Sequence, residues 1–140
     1  MTTSQQGGVA TFFRAYEEAT QTNKPDLFGK LYHESFLFGS PQGAQTLKLS
    51  DFLRFVPQRA EFAKNLGLVA TRLVTVKDSP MDDKYTLAKV VWEMDVVRAS
   101  GTTSITAEAS YVLMKQEDGF RIVSQFDHQD LMERILSTQS

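Results

Sequence analysis

The sequence predicts an α+β fold, with helices first and an antiparallel sheet after them. Two observations carry this. Apolar residues recur with helical spacing through the first half of the chain. The second half consists of long runs rich in Val, Thr and Ile, parted by Asp, Gly and Ser turns.

Each element can be justified in order. Val9, Phe12, Phe13, Tyr16 and Ala19 form one apolar stripe on a first helix. Asn23 and Pro25 punctuate, and Pro suits a first helical turn. Leu27, Phe28, Leu31 and Tyr32 then make the inner face of a short second helix. His33–Phe38 reads as a strand, Gly39–Gly43 as a turn and Ala44–Lys48 as a further short strand. Ser50 is positioned as the N-cap of a third helix bearing Phe52, Leu53, Val56, Ala60, Ala63 and Leu66. Pro57 should kink or split that helix, and Gly67 should stop it. Four strands follow, at Leu68–Lys77, Lys84–Arg98, Thr103–Gln116 and Phe120–Asp127. Ser100-Gly101 and Asp118-Gly119 have the composition of two-residue hairpin turns. Leu131, Met132, Ile135 and Leu136 suggest a last helix over about Gln129–Leu136.

Composition bounds the function. The chain has 140 residues, with 15 Lys and Arg against 17 Asp and Glu. It is read as a single domain over 1–140 with an ordered core of about 9–136, long enough to bury roughly 68–70% of its unfolded surface. There is no Cys, so neither disulfides nor thiolate metal sites can form. A formal charge of −2 argues against a nucleic-acid binder, which carries a basic stripe. No stretch of about 18 apolar residues is present to span a membrane. The start, Met1 to Gly8, has no basic segment followed by an apolar run, so a cytoplasmic location is expected. No phosphate loop, dinucleotide fingerprint or nucleophile elbow is present, and no cofactor is expected. Two isolated His without ligand spacing predict no metal site.

Hairpin register assigns the faces. With Ser100-Gly101 as the turn, Val96 faces Ile105, Met94 faces Ala107, Trp92 faces Ala109 and Val90 faces Tyr111. With Asp118-Gly119 as the next turn, Tyr111 meets Phe126, Leu113 meets Ser124 and Ala109 meets His128. One whole face is then apolar. A three-residue turn would instead send Val123, Gln125 and Asp127 inward, a poorer hydrophobic match. Eight Phe and two Tyr within the first 62 residues supply the helical cover for this face. Aromatics opposite Ala107 and Ala109 suggest a hollow as well as a packed layer, although such stripes more often form core.

Three segments in this order, Phe12–Tyr16, Lys24–Tyr32 and Phe36–Pro41, together with the ending Asp118–Val123, resemble the nuclear transport factor 2-like superfamily. That group includes SnoaL-like polyketide cyclases, ketosteroid isomerases and scytalone dehydratases. The resemblance implies a cystatin-like cone, a curved sheet wrapped around the N-terminal helices with an internal pocket, usually as a dimer. Tyr16 occupies the place of the isomerases' catalytic Tyr, whose chemistry also needs an Asp base and a protonated Asp. Ser40 stands where that base would fall, and Tyr111 where the second acid would. Phe126 stands where related branches place an inward His. The isomerase mechanism is therefore not expected to transfer.

The expected pocket comprises Tyr16, Tyr32, Trp92, Met94, Tyr111, Ser124 and Phe126, taking a small, mostly apolar molecule. Catalytic candidates are Tyr16, Tyr111 and His128: the phenols would polarise a carbonyl and the imidazole would move a proton, as in a cofactor-independent isomerase, dehydratase or cyclase. A surface or helix-capping role beside Asp127 and Asp130 is the better match for His128, and His33 reads as a rim residue or a partner of the helix C-terminal dipole. A third reading is an association module whose pocket is filled by its own side chains. Glu93 and Glu108 fall opposite each other on the outer face, where they could share a proton or be neutralised by Arg72, Lys89, Arg121 or a partner. That face also carries Leu87, Val91, Val112, Met114 and Val123, which suggests a homodimer.

Overall fold

The structure is a computed structural model describing residues 2–129 and 133–134, with side chains from residue 8 onward. Three helices, α1 (Thr2–Thr22), α2 (Pro25–Gly29) and α3 (Leu49–Asn65), lie with six strands: β1 (Tyr32–Ser40), β2 (Gly43–Lys48), β3 (Leu68–Pro80), β4 (Tyr85–Arg98), β5 (Gly101–Gln116) and β6 (Gly119–Asp127). The strands form one curved, unclosed sheet in the order β2-β1-β6-β5-β4-β3. Its pairings are antiparallel except β1 with β6, which is parallel.

All five residues of the α1 stripe are buried, Phe13 and Ala19 completely. Phe13 packs on Tyr111 with ring centroids 4.9 Å apart, and Tyr16 on Trp92 at 5.2 Å. Burial of one such side chain contributes about 1.5–3 kcal/mol, so this stripe anchors the helix to the sheet. The second helix is shorter than its apolar spacing suggests. Leu31 and Tyr32 are buried as expected, but Tyr32 is already the first residue of β1. Helix α3 starts at Leu49 with Lys48 in the cap position and no side-chain cap, so Ser50 does not cap it. Pro57 does not split it either: the exposed proline sits inside a continuous helix. Of the last expected helix only Gln129, Glu133 and Arg134 are described, the latter two as helical; Leu131, Met132, Ile135 and Leu136 lie outside the described residues.

Both hairpins turn one residue earlier than expected. Arg98 pairs with Gly101 and Gln116 with Gly119, so the turns are Ala99-Ser100 and Glu117-Asp118. Each glycine instead opens the returning strand with φ +132, a conformation an L side chain rarely adopts. In β4–β5 the register therefore moves by two, Trp92 facing Ala107 and Val90 facing Ala109. An even shift keeps every face, and Val90, Trp92, Met94, Val96, Ile105, Ala109 and Tyr111 are all buried. It does part Glu93 from Glu108: Glu93 pairs with Thr106 and Glu108 with Val91.

In β6 the outcome differs. A bulge between Val112 and Leu113 of β5 places Leu113 opposite Ile122 but Val112 opposite Ser124. One extra residue reverses the alternation beyond it. Ile122 and Gln125 are consequently buried, while Phe126 is 38% exposed. Ser124 and Phe126 face away from the helices, contrary to the expected register.

Candidate functional site

The buried residues form two clusters. The larger joins α1, α2, α3 and the sheet around Phe13, Tyr111 and Ile122; the smaller comprises Met94, Val96 and Ile105 near the β4–β5 turn. Between them lies a cavity of about 1070 Å³, walled by Phe28, Phe38, Phe52, Val56, Trp92, Met94, Ala107 and Ala109. The small side chains of Ala107 and Ala109 leave the floor low. The lining reaches Phe62 and Val69, which are 55% and 61% exposed, so the cavity opens to solvent between α3 and the edge strand β3.

Its polar end is a hydrogen-bonded chain. Tyr32 donates to Gln125 Oε1 at 2.5 Å, which leaves Tyr16 to donate to the Tyr32 hydroxyl at 2.8 Å. Gln125 Nε2 in turn donates to Asp127 Oδ1 at 3.0 Å. Beside this chain, Trp92 Nε1 donates to the Tyr111 hydroxyl at 3.1 Å. Tyr16 sits between the other two phenols, with centroid distances of 6.2 Å to Tyr32 and 5.8 Å to Tyr111. Burial pushes all three phenols upward in pKa, so they are neutral donors at physiological pH. For Tyr16 that push is partly offset by the Tyr32 and Tyr111 hydroxyls, which stabilise its ionised form. Desolvation likewise raises the Asp127 carboxyl, with Gln125 and the Arg59 charge opposing. Tyr16 and Tyr32 donate within this chain, which leaves the Tyr111 hydroxyl to donate to a carbonyl or hydroxyl. A carboxyl with raised affinity for a proton stands at the same end.

Tyr16, Tyr32, Trp92, Met94 and Tyr111 thus border one cavity. Ser124 and Phe126 do not. Phe126 lies on the outer face against Gly39, its strand neighbour, beside a shallow hollow that also includes Ser40 and His128. His128 is exposed and its Nε2 lies 2.7 Å from Ser110 Oγ, so it does not converge with Tyr16 and Tyr111. His33 is half-buried, its Nδ1 3.1 Å from the Ser35 carbonyl. On the outer face Arg72 binds both Glu93, at 2.7 Å, and Asp95, at 2.6 Å, so Glu93 is neutralised rather than paired with Glu108. Among the described residues no group of three or more His, Asp or Glu could hold a metal ion. No described helix is long and apolar enough to cross a membrane.

Sequence reasoning missed Gln125, Asp127 and Arg59. A three-residue turn, which hydrophobic matching disfavours, would also send the first two inward; here the bulge does so behind a two-residue turn. Arg59 lies seven residues after Phe52, on the stripe that Phe52 and Val56 bury. A cation at that spacing was the legible signal.

The family model for an NTF2-like protein (DUF6841) matches residues 5–130. A nuclear transport factor 2 (NTF2-like) superfamily protein from Salmonella enterica serovar Typhimurium is 18% identical. It superposes with a TM-score of 0.67, covering 91% of this chain and 92% of its own. An NTF2-like protein with a cystatin-like fold from Novosphingobium aromaticivorans gives 0.77 at 9% identity, covering 96% and 90%. A putative calcium/calmodulin-dependent protein kinase II association domain from Xanthomonas campestris gives 0.65 at 13% identity, covering 87% and 85%. No curated protein matches. At these identities the structural likeness is one of fold.

Proposed function

The chain belongs to the NTF2-like family DUF6841, and from that premise we propose that it binds a small, mostly apolar molecule bearing a carbonyl or hydroxyl group in the cone cavity. The observation that carries this reading is the pairing of an open, aromatic-walled cavity with one polar end of three neutral phenols. Apolar walls provide affinity and a few converging donors fix orientation. Aromatic side chains line the cavity without filling it, which favours binding over a pure association module.

Calorimetric titration with 2-acetonaphthone, a neutral bicycle with one carbonyl, tests the reading. One site is expected, weakened roughly three- to tenfold in Tyr16→Phe or Tyr111→Phe, the loss of one hydrogen bond. Equal affinity in both variants would remove the phenols from the site. No binding at all would end the proposal.

A second reading, a cofactor-independent isomerase, dehydratase or cyclase, is favoured by the half-buried Asp127 carboxyl, which is joined to Tyr16 through Gln125 and Tyr32. In it Tyr16 or Tyr111 polarises a carbonyl and Asp127, in place of His128, moves the proton. The same complex in heavy water distinguishes the two. Deuterium entering the probe's methyl group, and failing to enter with Asp127→Asn, supports turnover; no incorporation above the buffer rate leaves binding alone.

A further inference from the structure

We propose that the cavity selects an organic anion, a molecule whose apolar body lies against the aromatic walls and whose carboxylate meets Arg59 at the mouth. The proposal rests on the binding reading above and adds the charge of the ligand. Arg59 lines the cavity, and its guanidinium carbon lies 5.7 Å from the centroid of the Phe52 ring, itself part of the wall. Phe52 in turn packs on Tyr32, with centroids 5.0 Å apart, so a single aromatic ring separates the cation from the phenol end.

The helix gives this placement its meaning. Phe52, Val56, Arg59 and Ala63 follow the spacing of one α3 stripe, whose first two members are buried. An arginine there breaks the apolar pattern, and such local violations concentrate at functional positions. Among the described residues no carboxylate forms an ion pair with it, and Asp127 feels its charge only from beyond that reach. Two nearby arginines already have partners: Arg54 binds Asp51, and Arg72 binds Glu93 and Asp95 on the opposite face.

Other charges around the cavity fix the orientation. Lys64 adds a second positive group at the mouth and Glu61 a negative one. Glu108 borders the cavity from a strand position that alternates to the outer face, between inward Ala107 and Ala109. Asp127 stands at the phenol end and repels an anion there when ionised. A carboxylate is therefore directed outward to Arg59, whose planar fork matches it with two parallel hydrogen bonds. The neutral carbonyl or hydroxyl of the same molecule then falls to Tyr111, whose hydroxyl accepts from Trp92 and keeps its own proton to donate.

The test compares 2-naphthoate with 2-acetonaphthone, similar in shape and different in charge, by calorimetry at low ionic strength. The wild type should bind 2-naphthoate roughly five- to tenfold more tightly. Arg59→Gln should abolish that preference while leaving 2-acetonaphthone within about twofold, and Arg59→Lys should restore part of it. If both probes bind the wild type equally, or if Arg59→Gln keeps the preference, the anion proposal fails and the apolar binding site stands. If neither probe binds, both readings fall together.

Discussion

Two carboxyls on opposite faces of the sheet are pushed in opposite directions. Asp95 is hydrogen-bonded by Arg72 and by Ser104, which lowers its pKa to about 2, so it is charged throughout the working range. Asp127 is raised from 3.8 because burial strips water from its charged form. Between the unfolded value and the raised folded one, the native state holds a proton the unfolded chain has lost. Stability contributed by Asp127 therefore falls as pH rises through that interval. Asp127→Asn keeps an acceptor for Gln125 Nε2 and removes the charge. It should melt at a higher temperature than the wild type at pH 8, with the two curves converging near pH 4. Calorimetric melts across that range check this, and an Asn variant no more stable at pH 8 would refute it. The penalty is also why the residue is hidden: hydrophobic matching cannot find an acid held in a half-dry place. Tyr16, Tyr32, Trp92, Met94 and Tyr111 are legible as cavity-lining residues because the apolar pattern places them inward.

At the level of elements, legibility followed the period of each pattern. The α1 stripe is legible because five residues repeat on one helical face, and no local shift can reassign them. In β4 and β5 the turn lies one residue earlier than its composition suggests, yet the even shift leaves the inward set unchanged. The bulge facing β6 had no comparable protection, since a single extra residue moved Gln125 and Asp127 inward and Ser124 and Phe126 outward. Bulges leave little trace in a hydrophobic pattern. Glycine leaves more. Gly67 ends α3 with φ +101, and its carbonyl accepts from Val97 N–H at 2.8 Å, tying the helix end to β4. A Cβ there would meet the Val97 carbonyl oxygen at 2.5 Å. Gly67→Ala should accordingly cost about 1–3 kcal/mol from backbone strain, with the clash adding to it. Chemical denaturation measures this as a lower midpoint with an unchanged slope, and an unchanged midpoint would show that the junction relaxes freely.

The whole molecule presents two different faces, and their separation makes the last prediction testable. The inner face holds the cavity, whose mouth lies between α3 and β3. The outer face carries Leu87, Val91, Val112, Met114 and Val123, all half-buried, with Val97 46% and Phe126 38% exposed. The ion cluster of Arg72, Glu93 and Asp95 sits at the β3–β4 side of that face, so the apolar area is bounded by charge. Apolar surface with a polar rim is the composition of a self-complementary interface, which typically buries about 1,600 Å² in total. A second copy packed face to face would cover it. Val112 lies on β5 between Leu87 of β4 and Ser124 of β6, near the middle of the area. Sedimentation of the wild type at micromolar concentration should therefore give a dimer. Val112→Lys should give a monomer with an unchanged far-ultraviolet spectrum, because the lysine ammonium cannot be desolvated without a partner. A monomeric wild type would refute the interface. Because the mouth opens on the other side, the monomeric variant should bind 2-acetonaphthone as tightly as the dimer. A loss of binding on dissociation would instead show that the two faces are coupled through the sheet.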